Sequence, residues 1–348
     1  MSRQQFPKQF LQLMGEQSLL QETVARISGS SFAPAIIVSG EEQRSLIERQ
    51  LAEAPIETIL LEPTGRNTAA AAALAALWVQ RSGRDEILLL MPADHVVGDR
   101  DAFLKAIESA VPRAEQGAIV TFGAQPSGPN TQYGYIEADT AGGAGDGSFR
   151  IARFHEKPDV VKAAEYVESG RFFWNAGIFL VKASTLLNEM RQFLPASLDA
   201  LTRSVDQGAI DGLFFRPAPD EFNHAENISI DHGIMEKTAR GVVVPVQMNW
   251  SDVGSWDAVW TLGPKDSAGN VISGDVVSLD TKGCLLRSDG PLVATIGLEN
   301  VAVIAVGDAV LVAPMDRMAD LKALVEQVRA QHSERVTSPP APARKSKD

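Results

Sequence analysis

Apolar and polar positions alternate in two different textures along this chain. From residue 18 to about 262, short apolar runs alternate with stretches that repeat every three to four residues. From 270 to 314, short apolar runs follow one another, divided by Gly and Asp, with no helical period. The first texture predicts strands and helices in turn. Leu19, Leu20, Val24 and Ile27 mark a helix over Ser18 to Ile27. Strands follow at Pro34 to Val38 and Thr58 to Leu61, with a helix at Glu41 to Ala52 between them. Asn67 to Gln80 is an alanine-rich helix, with Asn67 or Thr68 as its N-cap. Ile87 to Met91, five apolar residues, reads as a strand buried on both faces and stopped by Pro92. A helix over Asp101 to Glu115 and a strand over Ala118 to Phe122 complete this run. Strands alternating with helices predict a parallel or mostly parallel sheet covered on both sides.

Beyond Phe122 the alternation loosens. Gly123 to Gly134 is a polar loop, and Ala141 to Gly147 a glycine-rich turn between strands at Tyr135 to Ala138 and Ile151 to His155. A helix is expected over Val160 to Glu168. The apolar strand Phe172 to Val181 is interrupted by Asn175 and Gly177. Helices are expected at Ser184 to Met190, Ala196 to Ser204, Ile230 to Lys237 and Trp256 to Leu262, and a strand at Gly241 to Val246. The second texture, Asn270 to Pro314, predicts a small β-module. An amphipathic helix follows over Asp316 to Gln331. The tail from Ser333 to Asp348, with P-P-A-P-A-R-K-S-K-D, is expected to be disordered. The expected division is therefore 1–262, 263–332 and 333–348.

Composition narrows the function classes. A formal net charge of -12 on 348 residues disfavours a nucleic-acid partner. It leaves room for an anionic small substrate in a locally positive pocket. Cys284, the one cysteine, has no partner for an internal disulfide, which fits a reducing compartment. The start of the chain has no apolar signal region. The longest apolar helix, Ala69 to Val79, is too short to span a bilayer. A cytoplasmic location is expected.

Candidate chemistry begins at Asp94, which follows the Ile87 strand where open α/β sheets bind ligands. Its best candidate partner is Asp252 in W-S-D-V-G-S-W, a loop flanked by Trp250 and Trp256 and allowed to bend at Gly254; spacing alone fits two independent loop aspartates as well. Two aspartates on one cleft would suit Mg²⁺, which takes a few carboxylates plus substrate phosphates. Lys8 in F-P-K-Q-F and Lys157 in E-K-P could neutralise phosphoryl oxygens, with Arg3 and Arg66 adding positive charge. Glu156 could accept hydrogen bonds from sugar hydroxyls. Asn175, inside an apolar strand, needs a partner, and Gly177 would permit close approach of a substrate. Ser229 and Asp231 could cap a helix or touch substrate. E-P-T-G-R-N-T-A at 62–69 joins a strand end to a helix start, where free N–H groups can bind anions or base edges. His95, His155, His224 and His232 lack metal-ligand spacing and read as structural, with His95 as the exception to watch.

Together the stretches S-R-Q-Q-F-P-K-Q-F (2–10), S-L-L-Q-E-T (18–23), E-P-T-G-R-N-T-A (62–69), P-A-D-H (92–95), Y-G-Y-I (133–136), F-H-E-K-P (154–158), W-N-A-G-I-F (174–179), S-I-D-H-G-I-M-E (229–236) and W-S-D-V-G-S-W (250–256) resemble the mannose-1-phosphate guanylyltransferase family. The resemblance covers about residues 2 to 330. It implies a Rossmann-like nucleotidyltransferase fold of GT-A type, a mixed α/β sheet with helices on both faces. A small C-terminal module like a left-handed β-helix turn, plus a helix, would follow. It implies transfer of GMP from GTP to mannose 1-phosphate, giving GDP-mannose and pyrophosphate. By the same resemblance Asp94 and Asp252 would hold Mg²⁺, Lys8 would contact nucleotide phosphates and Lys157 the sugar phosphate. Gly134, Glu156, Asn175 and Asp231 would line the sugar pocket. Glu62, Pro63, Asn67 and Thr68 would sit near guanine, and Arg3 would contact substrate. A homodimer is left open by the sequence.

One feature of the family's pattern has no counterpart in this sequence. The family opens with a strand and a loop of the form G-G-x-G-T-R-L-x-P, and here Met1 stands just after that loop. The expected explanation is a start codon assigned too late; the competing one is a truncated, non-catalytic protein that still binds sugar nucleotide. Without that strand a neighbour's sheet edge is expected to be exposed. A nucleotidyltransferase for another sugar 1-phosphate is the remaining alternative. The chain is too short for a further isomerase domain, so no phosphomannose isomerase activity is expected.

Overall fold

Residues 6–140 and 146–332 are described by a computed structural model. In chain order the elements are α1 (Leu19–Arg26), β1 (Ala35–Gly40), α2 (Arg44–Gln50), β2 (Ile56–Glu62), α3 (Asn67–Arg81), β3 (Ile87–Leu90), β4 (Val96–Val97) and α4 (Arg100–Glu115). Then come β5 (Ile119–Ala124), β6 (Tyr135–Asp139), β7 (Phe149–His155), α5 (Val160–Ser169), β8 (Phe172–Lys182), α6 (Ala183–Phe193) and α7 (Pro195–Asp206). They are followed by β9 (Ala209–Asp211), β10 (Phe214–Arg216), α8 (Pro219–Phe222), β11 (Gly241–Val246), β12 (Trp250–Ser251) and α9 (Trp256–Leu262). The C-terminal part holds β13 (Val271–Ser273), β14 (Val276–Leu279), β15 (Leu285–Asp289), β16 (Val293–Ile296), β17 (Val301–Val306), β18 (Ala309–Pro314) and α10 (Leu321–Gln331).

Two compact units result. The larger comprises Val24–Pro92 and Val97–Trp250. Its sheets run β1-β2-β10-β9 and β3-β8-β5-β11-β7-β6. β1, β2 and β10 are parallel, as the alternation predicts. The six-stranded sheet departs from that expectation. β5 and β11 are parallel, but β8 runs antiparallel between β3 and β5. The sheet is therefore mixed, with helices packed on both sides. Alanines Ala69, Ala70, Ala72, Ala73 and Ala76 are small enough to bring α3 close to α6 and α7, with Leu186, Leu187, Leu198 and Leu201 filling the space between. On the other side α4 buries Phe103, Ala106, Ile107 and Ala110 against Val120, Phe122, Ile178 and Leu180.

The Ile87 strand corrects an expectation. Its residues are half-buried rather than enclosed, and among the described residues it pairs only with β8. It is an edge strand, so its apolar run reflects packing on two core clusters rather than a place in mid-sheet. β1 is likewise an edge, paired with β2 alone among the described residues. The hairpin of β9 and β10, turning at Gly212 with φ 61°, is an element that apolar periodicity missed.

The second unit comprises the chain through Thr23, Ala93–Val96 and the chain from Ser251. β13, β15 and β17 stack in parallel, as do β14 and β16, which is the coil-on-coil arrangement of a β-helix. Val271, Leu285 and Ala302, one from each stacked strand, meet in an apolar cluster with Ile304. Cys284 is fully buried in a second cluster beside Leu286 and Val303, where it packs as a small apolar group. Its thiol donates to the Lys282 carbonyl. No helix among the described residues is long and apolar enough to cross a membrane. The expected disordered tail, 333–348, and most of the turn at 141–147 lie outside the described residues.

Candidate active site

The first cluster belongs to the smaller unit. Lys8 lies 86 positions from Asp94 and 244 from Asp252. Apolar residues near each bring them together: Leu13, Val96, Val253 and Val259 share one buried cluster with Leu285 and Ile304. The Lys8 ammonium donates to Asp94 Oδ2 at 3.1 Å and also to the backbone carbonyl of Asp252. The Asp252 carboxylate accepts from the Gly254 N–H at 3.0 Å, inside its own loop. Val253 between them is buried with φ 48°, a left-handed conformation that costs a β-branched residue on the order of 1–3 kcal/mol. His95 Nε2 stands 3.7 Å from Asp94 Oδ1.

Asp94 and Asp252 are the residues here that could hold a hard dication. A cationic group, the Lys8 ammonium, already rests on the Asp94 carboxylate, and the neighbouring donor is also oxygen. Among the described residues no group of three or more His, Cys, Asp or Glu could hold a metal. Two aspartates would thus leave most coordination positions to water or substrate, as Mg²⁺ prefers.

The second cluster is built on the strands of the larger unit. Asn175 pairs across from Gly123, and its N–H donates to the Gly134 carbonyl at 2.8 Å. Its side-chain oxygen accepts from Thr121 Oγ1 at 3.3 Å and from the Gly177 N–H at 3.1 Å. Its amide donates to Asp231 Oδ1 at 2.7 Å. The partner that a polar residue in an apolar strand requires is therefore Asp231. Burial pushes the Asp231 carboxyl above the usual range, the Asn175 hydrogen bond pulls it down, and the Glu156 charge raises it again. Ser229 does the capping, accepting from the His232 N–H at 3.2 Å. Lys157 donates to Glu156 Oε1 at 2.8 Å, and this hydrogen bond raises its pKa. Lys157 also sits at φ 45°. Gly134 leaves room for Glu156: a Cβ there would stand 2.6 Å from Glu156 Oε2 and push that carboxylate aside.

The third group gathers at the end of β2. Glu62 Oε1 is buried and has no hydrogen-bond partner among the described residues. Burial raises its pKa from 4.5 to about 7, with a contribution from Glu42. Pro63 follows it into the turn. Asn67 has φ 65° and its Oδ1 accepts from the Thr68 N–H, while Thr68 Oγ1 accepts from the Ile230 N–H at 2.9 Å. Neither caps α3 in the expected manner. Asn67 closes on its own neighbour, and Thr68 ties the helix start to the loop before Asp231. Arg66 donates to the Asn223 carbonyl at 2.7 Å, so it holds structure here rather than standing as a loose cation. Arg3 lies outside the described residues.

The histidines other than His95 make local contacts. His155 packs near Tyr166 and Phe172, and His232 Nδ1 lies 2.6 Å from Glu236 Oε1. His224 is exposed, 3.9 Å from Glu221. Sequence reasoning missed Thr121, which holds Asn175. Its signal was available: a lone hydroxyl in the buried run of β5.

The mixed sheet, the stacked β-module and the lysine–aspartate cluster together define a nucleotidyltransferase class of fold, and comparison with known proteins agrees. Residues 1–269 match the nucleotidyl transferase family and residues 274–328 the mannose-phosphate isomerase/GMP-like β-helix domain; the chain belongs to this family. The xanthan biosynthesis protein XanB of Xanthomonas campestris pv. campestris is 44% identical over 332 residues, covering 95% of this chain and 70% of that protein. Mannose-1-phosphate guanylyltransferase of Escherichia coli is 42% identical over 329 residues, covering 94% and 70%. A crystal structure of the Thermus thermophilus protein named mannose-1-phosphate geranyltransferase matches with TM-score 0.81 and 33% identity over 94% of both chains.

Proposed function

We propose that the protein transfers GMP from GTP to mannose 1-phosphate, releasing pyrophosphate. The observation that carries this reading is the meeting of Lys8, Asp94 and Asp252 from three distant stretches. Such an ammonium–carboxylate set is suited to triphosphate chemistry, and relatives over 40% identical carry the guanylyltransferase name. In the reaction an oxygen of mannose 1-phosphate attacks the α-phosphorus of GTP. The bond from that phosphorus to the bridging oxygen breaks, and pyrophosphate leaves with the electron pair. No covalent enzyme intermediate is needed.

Asp94 and Asp252 would hold Mg²⁺, which supplies charge neutralisation on the phosphates when bound. Lys8 is released from Asp94 toward nucleotide oxygens and offsets the charge that builds on the leaving group. Lys157 serves the sugar phosphate. Glu156 and Asp231 accept from sugar hydroxyls, with Asn175 fixing Asp231 and Gly134 leaving room for the Glu156 carboxylate. The unpartnered Glu62 oxygen suits the amino donor of guanine, because a buried acceptor without a partner costs about 1–3 kcal/mol. Pro63, Asn67 and Thr68 shape the same turn, and Arg3 adds positive charge for the phosphates. We assign the reaction to the cytoplasm, where GTP is supplied and a free thiol such as Cys284 persists, and take a homodimer as the working assembly.

The test is product analysis with mannose 1-phosphate and each of the four nucleoside triphosphates, repeated on Asp252→Ala. GDP-mannose and pyrophosphate in equal amounts from GTP, lost in the variant, is the expected result. Preference for another triphosphate would remove the guanine assignment; unchanged turnover in the variant would remove Asp252 from the site.

A further inference from the structure

A cavity of about 260 Å³ opens elsewhere in the larger unit, lined by Arg113, Arg150, Arg240, Gln116 and Ser148 among others. None of these residues belongs to the clusters above. The lining lies where β5 and β11 begin, with Ala118 and Gly241 at its wall. Asn175 pairs with Gly123, which is further along β5 from Ala118 by about 16 Å of strand.

Three guanidinium groups line one hollow, and each keeps part of its surface in water, which screens their mutual repulsion. Two are partly offset. Arg113 Nε meets Asp146 Oδ2 at 2.8 Å, and Asp146 is held in place by the Ser148 hydroxyl and N–H. These hydrogen bonds, with Arg113, hold the Asp146 carboxyl far below the usual carboxylate range. Arg240 Nε meets Glu189 at 3.2 Å, and its Nη1 donates to the Gly117 carbonyl. Three more carbonyls at the end of α4 are taken: those of Pro112, Ala114 and Arg113 accept from the N–H groups of Gln116, Gly117 and Ala118 in turn. Arg150 has no ion pair among the described residues. Its ladder neighbours are Val242 on β11 and Asp139 on β6, and Asp139 is not part of the lining. Arg150 thus has its guanidinium free of a direct ion pair among the described residues, although Asp139 shares its face of the ladder, and each fork keeps donors to spare.

We propose that this cavity is a second ligand site, taking a small sugar phosphate whose phosphate rests among Arg113, Arg150 and Arg240. A phosphate monoester carries close to two negative charges and three acceptor oxygens, matched to planar Arg forks. At about 260 Å³ the hollow lies just below the roughly 300–1,000 Å³ of usual ligand pockets, which limits the ligand to about the size of a phosphorylated hexose. The Gln116 amide supplies a polar contact for its hydroxyls.

The experiment is calorimetric titration of the full chain with glucose 6-phosphate. We expect one site in the wild type, weakened at least about tenfold in Arg150→Glu and less than that in Arg150→Lys, which keeps the charge but loses the planar fork. Lys157→Ala should leave it unchanged. Arg150 is exposed and has no ion pair to lose, so its variants should melt as the wild type does. Absence of binding in the wild type overturns the proposal, as does binding that Arg150→Glu retains and Lys157→Ala loses. Inorganic phosphate binding as tightly as glucose 6-phosphate would overturn the sugar-phosphate class. Failure here leaves the transfer reaction standing, since no residue of the cavity takes part in it.

Discussion

The two main clusters solve opposite problems. Lys8 and Asp94 keep their charges part-exposed, and one ammonium is shared between Asp94 and the Asp252 backbone. Asn175 and Asp231 are half-buried too, but they are locked by hydrogen bonds to each other and to strands β5 and β8, and burial raises the Asp231 carboxyl. The difference teaches what each can bind. An open ion pair can be exchanged for phosphate or a metal ion at little cost, because exposed pairs contribute only about 0–1 kcal/mol. A desolvated, satisfied network is rigid, and it can tell one pattern of hydroxyl groups from another because a wrong ligand leaves its groups unpaired.

The largest effect that would sharpen this contrast comes from Asp94→Asn. The substitution keeps the shape and removes the charge. GDP-mannose formation, followed by chromatography, should fall about 10²–10³-fold, the usual loss for a group aimed at charge in the transition state. The melting temperature should hardly move, because the Lys8 pair is part-exposed. Wild-type turnover in this variant would end the comparison, since the open cluster would then have no chemical task.

Glu62 extends the logic of desolvation to a carboxylate with no partner. In the folded chain it keeps its proton up to about pH 7, whereas the unfolded chain releases it near 4.5. The folded state binds the extra proton between these values, so its stability is fullest below 4.5 and falls as pH rises toward 7. The loss is at most about 3 kcal/mol. Glu62→Gln cannot titrate and should abolish this part of the pH dependence, gaining on the wild type at about pH 8 but not below the unfolded-state pKa. Urea denaturation at the two pH values measures it; the same pH dependence in both proteins would show that Glu62 ionises normally.

Next in size is Asn175→Ala. It removes the donor that lowers the pKa of Asp231, so that carboxyl should rise further and lose its hydrogen bond. A cost of about 1–3 kcal/mol is expected in denaturation, with a raised KM for mannose 1-phosphate and a smaller change in kcat. A variant with kcat reduced as in Asp94→Asn and an unchanged KM would erase the distinction between the clusters.

Much of this was readable in the sequence, for identifiable reasons. The long periodic elements, α3, α4 and β8, stand within a residue or two of the expected bounds, because many apolar positions vote on each. Three-residue strands such as β9 and β10 carry too few positions for a period; the Asp211-Gly212 pair was the usable signal for that hairpin. The fully buried, parallel setting expected for Ile87 to Met91 failed because an apolar run reports burial in general and not which neighbour covers it. Asn175 announced its need for a partner, but nothing local named Asp231, 56 positions away. The company of Lys8, Asp94 and Asp252 was read from a strand end, a bendable loop and a lysine suited to phosphate, and resemblance to a family then pointed to the same three; periodicity had no part in it. The left-handed backbone at Asn67, Lys157 and Val253 was not anticipated, since none is Gly.

The smallest effect tests the same contrast from its edge. His232 follows Asp231 directly, yet its side chain is half-exposed and pairs with Glu236 along the same turn. If burial and strand-borne hydrogen bonds are what make the second cluster selective, an exposed neighbour should matter little. His232→Ala is therefore expected to change stability by no more than about 0.5 kcal/mol, as surface substitutions do. Its KM for mannose 1-phosphate should stay within about twofold of wild type, a difference well under 1 kcal/mol. The comparison with Asn175→Ala is direct, because both side chains adjoin Asp231 and Asn175 is the one that donates to its carboxylate. A KM raised as far in His232→Ala as in Asn175→Ala would mean that proximity to Asp231, and not enclosure, governs sugar binding.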